Sequence, residues 1–293
     1  MEQRPVGSTV PRRQLGRQLQ SLRMLKGYTV KRAAVLFGIS EVKLWRIETG
    51  RTSVRASEVE AMCEEYGASP SLKEALVGLA GETKKKDWWY AFNDVIPDEF
   101  NLFIGLEQAA SEIKTFQSSL VPGLLQTAGY ARAIFQAGLP DAEPREFERR
   151  VRLRTTRRSI LDRAVGAPEL KVALSEAVLK CPVGSGEVMA EQLRSLAGGI
   201  ERVALRIVPF GAGLHEGMLS GPFTIFHFPL TPDGDETEPP TVYCESHAGA
   251  LYLDNFREVR MYEKTFRNIW DAALTPEESR NVLFESARSY EDA

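Results

Sequence analysis

The side chains best suited by type and spacing to do chemistry lie close together early in the chain: Ser40, Glu41, Val42, Lys43 and Arg46. Leu44 and Ile47 mark the buried face of a short helix, which leaves these five positions outside its core. Their chemistry is the reading of base edges. An arginine forks onto the O6 and N7 acceptors of guanine, a glutamate accepts from the N4 donor of cytosine, and an apolar side chain such as Val42 meets a thymine methyl. Arg46 is the foremost base reader among them. Thr29 and Lys31 before this helix, and Arg51, Thr52 and Arg55 after it, supply hydroxyls and cations suited to phosphate oxygens, which set register and affinity. The bland alternative is a solvated charged face.

So short a helix needs a neighbour to hold it, and the preceding residues supply one. Thr29 caps a helix with Val30, Ala33, Ala34 and Phe37 on one face. Gly38 ends it, Ser40 caps the next, and Gly50 stops that one. Only Gly38 and Ile39 join the pair, so the helices cross steeply, and Ala33 and Ala34 allow close approach. This is helix-turn-helix geometry, whose second helix enters a major groove about 12 Å wide with its N-terminal residues at the base edges. Three more helices are predicted around the pair. One carries Leu15, Leu19, Leu22 and Leu25 and closes at Gly27; one opens near Ser57 with Val59, Met62, Cys63 and Tyr66; the last follows Pro70 with Leu72, Leu76 and Leu79.

The charge balance points this head towards an anion. Residues 1–86 hold 16 Lys and Arg against 9 Asp and Glu, and residues 87–293 hold 21 against 31, in a chain of net charge −3. Affinity for nucleic acid comes from local phosphate neutralisation and does not require a basic whole. With 293 residues, 43% hydrophobic and 26% charged, the composition excludes a disordered or collagen-like chain and suits two domains. The polar, basic run Gly81-Glu82-Thr83-Lys84-Lys85-Lys86 marks the expected division into residues 1–83 and 87–293. No run approaches the ~18 apolar residues of a membrane span. Met1–Arg13 has arginines but no apolar stretch behind them, so a cytoplasmic location is expected, nucleoid-associated when DNA is bound. Cys63, Cys181 and Cys244 are odd in number and form no C-x-x-C pair, so core positions are expected rather than disulfides or a zinc site.

The run Gly38-Ile39-Ser40-Glu41-Val42-Lys43-Leu44-Trp45-Arg46-Ile47-Glu48-Thr49-Gly50 resembles the lambda-repressor/XRE helix-turn-helix family, with its pattern G-[IV]-S-x-x-x-[IL]-x-R-[IL]-E-x-G. The resemblance covers about residues 11 to 80. It implies a five-helix domain that binds double-stranded DNA, commonly as a dimer on a two-fold-related operator. It also implies an internal ion pair between Arg23 and Glu48, which makes both structural. Trp45 departs from the pattern, which usually has a small polar residue there. Packing on a neighbouring helix is expected for its indole, ahead of a wedge beside the sugar-phosphate backbone.

The body changes period along its length. Helical patterns run from Phe100 to Glu112, carrying Leu102, Leu106, Ala109, Ala110 and Ile113 on one face, and from Pro144 to Arg163. The segments Glu169–Leu174, Val203–Val208, Pro222–Phe228, Thr241–Glu245 and Ala250–Leu253 read as strands, with helices over Gly186–Ala197 and Val259–Ala273. The fold class expected for the body is mixed α+β with a mainly antiparallel sheet. Its motifs include Asp87-Trp88-Trp89, Val121-Pro122-Gly123-Leu124-Leu125-Gln126-Thr127 with Tyr130-Ala131, Val151-Arg152-Leu153-Arg154, Val208-Pro209-Phe210 with Gly213, Phe223-Thr224, and Val242-Tyr243 before Glu245. Together they resemble the C-terminal domain of actinobacterial WhiJ-like, antitoxin-like regulators. That resemblance implies transcriptional regulation modulated by a small neighbour-encoded protein.

An enzyme is not expected, and neither a cofactor nor a metal is demanded. Cys244-Glu245-Ser246-His247 lacks the spacing that puts metal ligands on one face, no G-x-S-x-G elbow occurs, and Gly211-Ala212-Gly213 has no Lys-Ser/Thr behind it. The Arg-rich helix carries Arg145, Arg149, Arg150, Arg152, Arg154, Arg157 and Arg158, and Glu143, Glu146, Glu148 and Asp162 can pair with some of them. A salt-bridged surface helix is the plain reading; Arg149 and Arg150 as a dock for an acidic partner, or as extra phosphate contacts, are the others. The primary expectation is a homodimeric, sequence-specific transcriptional regulator that responds through its body to a partner protein or a small-molecule ligand. The rival is an antitoxin-type protein that sequesters a partner, with DNA binding mainly autoregulatory.

Overall fold

The structure, a computed structural model, describes residues 10–82, 91–92, 95–96, 98–230, 236–246 and 249–292. The chain packs as two compact units, Met1–Ala109 and Ala110–Ala293. The division expected near residue 84 lies outside the described residues.

The first unit contains all five helices predicted for the head: α1 (Val10–Leu25), α2 (Val30–Leu36), α3 (Glu41–Glu48), α4 (Ala56–Tyr66) and α5 (Pro70–Glu82), with α6 (Asp98–Ala109) after them. The two caps that set the ends of α2 and α3 stand where the sequence puts them. Thr29 Oγ1 accepts from the Arg32 amide at 3.2 Å, and Ser40 Oγ from the Lys43 amide at 3.1 Å. Each satisfies an amide that a helix start leaves without a partner, worth about 1 kcal/mol. Leu15, Leu19, Ala33, Leu44, Ile47, Val59, Met62, Cys63 and Leu76 form one buried core. Helix α1 runs so close to α3 that a Cβ at Gly16 would lie 2.4 Å from the Ile47 carbonyl oxygen and 2.6 Å from that of Glu48.

The second unit is built on a six-stranded sheet in the order β3-β2-β1-β4-β5-β6, formed by β1 (Glu112–Gln117), β2 (Glu169–Ser175), β3 (Val203–Val208), β4 (Phe223–His227), β5 (Thr241–Ser246) and β6 (Gly249–Leu253). Three of its five pairings are antiparallel, namely β1 with β4, β4 with β5 and β5 with β6. The parallel pairs, β1 with β2 and β2 with β3, need long crossovers. Helices α7 (Ala128–Gly138) and α8 (Pro144–Arg157) make the first, and α9 (Ala177–Lys180) and α10 (Gly186–Ala197) the second. The remaining helices are α11 (Glu216–Ser220), α12 (Phe256–Ala272) and α13 (Pro276–Glu291). On one sheet face Phe116, Phe223, Ile225 and Val242 pack with Val259, Phe266 and Ile269 of α12.

Several local expectations are corrected. The predicted helix over Phe100–Glu112 ends at Ala109, and Glu112–Gln117 is instead β1, flanked by β2 and β4. The reason is tertiary: the Ser111 amide donates to the His227 carbonyl at 2.8 Å, and the Ser111 carbonyl accepts from the Glu169 amide at 2.9 Å. The backbone is thus drawn into two ladders just where a helix would have continued. The Arg-rich helix stops at Arg157 rather than Arg163 and gives way to a 3₁₀ turn over Arg158–Ile160. Cys181 is exposed, not a core residue, whereas Cys63 is buried and the half-buried Cys244 donates its thiol to Tyr262 Oη at 3.3 Å. His247 lies outside the described residues. Helices α9, α11 and α13 had no counterpart in the sequence reading.

Candidate nucleic-acid interface

Helix α3 is amphipathic in the sense the sequence requires. Leu44, Ile47 and Glu48 are buried, while Glu41, Val42, Lys43, Trp45 and Arg46 are exposed. The Gly38–Ile39 turn is closed by the Ile39 amide donating to the Ala34 carbonyl at 3.0 Å, with Gly38 at φ +61°, a backbone conformation that disfavours any side chain. Both alanines of α2 are buried at the crossing.

The ion pair implied by the family resemblance is present. Arg23 Nε donates to Glu48 Oε1 at 2.5 Å and Nη2 to Oε2 at 2.9 Å, with the two residues 6% and 3% exposed. A third bond, from Arg23 Nη1 to the Tyr28 carbonyl at 2.6 Å, ties the same guanidinium to the α1–α2 connection. The hydrogen bond to Glu48 is the main cause that raises the Arg23 pKa above its ordinary value, and burial opposes it. One side chain thereby fixes α3 relative to α1, and the outward face of α3 inherits that rigidity.

Of the ten residues singled out as DNA contacts, nine are exposed; Thr52 is half-buried. The side chains of Arg46, Glu41 and Lys31 have no hydrogen-bond or ion-pair partner among the described residues, while the Arg46 carbonyl accepts from the Arg51 amide at 2.7 Å. Lys43 is different: its ammonium lies 2.8 Å from Glu58 Oε1. Glu58 also accepts from the Arg55 amide at 2.9 Å, at the start of α4. These two donors, Lys43 foremost, hold the Glu58 carboxyl below the usual carboxylate range. A phosphate or base approaching Lys43 therefore competes with a carboxylate that the sequence reading could not place. Ser40 and Thr29 likewise spend a hydroxyl lone pair on their caps.

The indole of Trp45 is 44% exposed, with the Arg51 guanidinium 4.5 Å from its ring centroid. The stacked Arg51 is held as a cation over an aromatic plane.

In the body, the Arg-rich helix α8 is less of a surface feature than its composition suggests. Arg157 is 2% exposed, and Arg154 donates to Gln126 Oε1 at 2.9 Å with its guanidinium 4.9 Å from the Phe135 ring centroid. Arg149 and Arg150 are half-buried, and Arg150 donates to Glu146 on its own helix at 2.7 Å and 3.0 Å. Among the described residues no cluster of His, Cys, Asp and Glu is arranged to hold a metal ion, and no helix is long and apolar enough to cross a membrane.

The fold and this face define a helix-turn-helix protein, the class that meets DNA. Residues 14–76 match the family model described as a helix-turn-helix domain, and residues 100–285 match the one described as a domain of unknown function (DUF5753). The second match spans more than half of the chain, which therefore belongs to the DUF5753 family. No curated protein and no solved structure matches it.

Proposed function

We propose that this chain is a sequence-specific transcriptional regulator of the XRE type, with the WhiJ-like body as its regulatory part, and that it is not an enzyme. It binds double-stranded DNA as a homodimer on a two-fold-related operator, in the cytoplasm and associated with the nucleoid when bound. Thr29, Lys31, Arg51, Thr52 and Arg55 meet phosphates, while Ser40, Glu41, Val42, Lys43 and Arg46 face base edges. The observation that carries the reading is Arg46: an exposed, unpaired guanidinium on the outward face of a helix whose inward face is bolted to α1 by Arg23 and Glu48. An arginine so placed has its donors free for a guanine.

The deciding experiment selects bound sequences from random DNA with the full-length protein and with Arg46→Ala. The expected result is a two-fold-related motif, relaxed at one position per half-site by the substitution, at a cost of about 1–3 kcal/mol. Sequence-indifferent, salt-sensitive binding by the parent protein would overturn it.

A second reading, the antitoxin-type protein, is favoured by one observation in the body. Phe210, Leu214, Met218 and Leu219 are each more than 60% exposed within a ten-residue segment. Apolar side chains grouped on a surface mark protein contact. Under this reading a small partner is sequestered there, and purification from the native host yields a stoichiometric complex whose formation Leu214→Asp and Met218→Asp abolish.

A further inference from the structure

The body contains a cavity of about 310 Å³ bordered by the end of α10, the edge of β3 and the start of α13. Leu125, Leu196, Leu205 and Leu283 give it apolar walls, and Arg280, an exposed residue of α13, is its single cationic lining group. The Arg280 side chain has no hydrogen-bond or ion-pair partner among the described residues. Glu278, the nearest acid in sequence, is engaged in the cap, where its carboxylate accepts from the Thr275 amide at 2.9 Å.

The β3 edge adds a second polar element. Strand β3 is the last in its sheet. The Arg202 and Val208 carbonyls accept from the Leu170 and Glu176 amides of the β2 side, so even-numbered peptide groups of β3 face β2 and odd-numbered ones face outwards. Three of the six outward groups of Val203, Leu205 and Ile207 are satisfied within the chain: the Ile207 amide donates to Ser279 Oγ at 3.0 Å, its carbonyl accepts from the Leu274 amide at 2.8 Å, and the Val203 amide donates to the Ile200 carbonyl at 3.1 Å. Leu205, between them, lines the cavity with its amide and carbonyl directed to the open edge. The open stretch, from the Val203 carbonyl through Leu205, is closed at both ends by the bonds of the Val203 amide and of Ile207, and is too short to seat an added strand, which needs alternate residues paired in succession. It is enough to pair with a single amide.

We propose that this cavity binds a small amphipathic carboxylate: an apolar body against the leucines, an amide on the Leu205 edge and a carboxylate forked by Arg280. The volume lies at the lower end of the ~300–1,000 Å³ typical of small-molecule sites, and a bidentate guanidinium–carboxylate pair is the charge match an unpaired arginine offers. This deepens the reading of the body as a regulatory part, which it takes as its frame, by naming a site and a ligand class.

The test uses the full chain without DNA, so that it stands or falls apart from the helix-turn-helix reading. N-hexanoylglycine is the probe, followed by calorimetry, with N-hexanoylglycinamide and hexanoate as controls lacking the charge and the amide. The expected result is saturable one-to-one binding, at least tenfold weaker for each control and for Arg280→Met. Arg280→Lys, which keeps the charge without the fork, recovers part of the loss. Arg280 is exposed, so an unchanged unfolding midpoint for the Met variant is also expected. Failure of the probe to bind at millimolar concentration overturns the assignment. So does equal binding of the glycinamide, or a probe affinity indifferent to Arg280→Met. Tighter binding of an extended acidic peptide at the same residues would overturn it in favour of a protein partner.

Discussion

Replacing Arg23 by Met should loosen the DNA-facing helix without touching its DNA-facing side. The side chain is 6% exposed and gives three hydrogen bonds, two to Glu48 and one to the Tyr28 carbonyl. Its loss leaves the Glu48 carboxylate, itself 3% exposed, buried without its partner. Breaking one side of a buried ion pair costs about 3–5 kcal/mol, because the remaining charge stays desolvated. At about 1.4 kcal/mol per factor of ten, amide protection in α3 should fall on the order of 10²–10⁴-fold. Glu48→Met should do the same for the stranded guanidinium. The double replacement by two methionines fills a similar volume with no charge left over, and should recover most of the loss, short of the bond to Tyr28, worth about 1 kcal/mol. Hydrogen exchange on the full chain reads this directly, since peptides from α1 and α3 report the pair and peptides from the β-sheet serve as the internal control. Single variants with α3 protection within tenfold of the parent would refute the reasoning. A double variant whose loss equals the sum of the two singles would refute it equally, because the pair would then carry no coupling.

Two further outcomes follow from the packing and charges. Gly16→Ala places a methyl against backbone atoms of Ile47 and Glu48 that cannot rotate away, so α1 and α3 must part; a loss of about 1–3 kcal/mol by thermal unfolding is expected, with weaker operator binding beside it. In the body, His227 lies 2.7 Å from Glu263 Oε1 and 2.9 Å from Glu236 Oε1. The hydrogen bond to Glu263 raises its pKa, burial opposes that, and Glu236 adds to it. The stability it contributes is therefore complete below its ordinary value of 6.5 and declines as pH rises through the raised one. Burial alone would raise Glu263, but bonds from His227 and Lys114 hold it at about 2, so its share is complete above its ordinary 4.5 and is lost as pH falls towards 2. His227→Gln should flatten the fall in unfolding midpoint on the alkaline side; an unchanged slope there would assign the pH dependence elsewhere.

Local chemistry made the first unit legible. Thr29 and Ser40 are caps because a hydroxyl one residue before an apolar-periodic run has an amide to bind, and Gly38 ends α2 because the turn needs φ > 0. Those signals act within four residues, so they are readable in order along the chain. Helix α13 carried the same kind of signal and was missed all the same: Thr275-Pro276-Glu277-Glu278 is a capping box with proline at the first helical position, and the structure forms it. Arg280, the cation of the proposed ligand site, sits on that helix.

What the sequence by itself determined is the set of elements whose signals are local: the five head helices, the exposed face of α3, and the strands that alternate between glycine and proline breaks. What only the tertiary structure decided depends on partners distant in the chain. Glu112–Gln117 became a strand because His227 and Glu169 take up the peptide groups of Ser111. Lys43 lost part of its freedom to Glu58, fifteen residues away, and Trp45 gained Arg51 over its ring. The cavity walls come from Leu125, Leu205 and Leu283, which no periodicity relates. Such outcomes follow from which surfaces meet, and a hydrogen bond or a cavity between remote segments leaves no spacing in the sequence by which to find it.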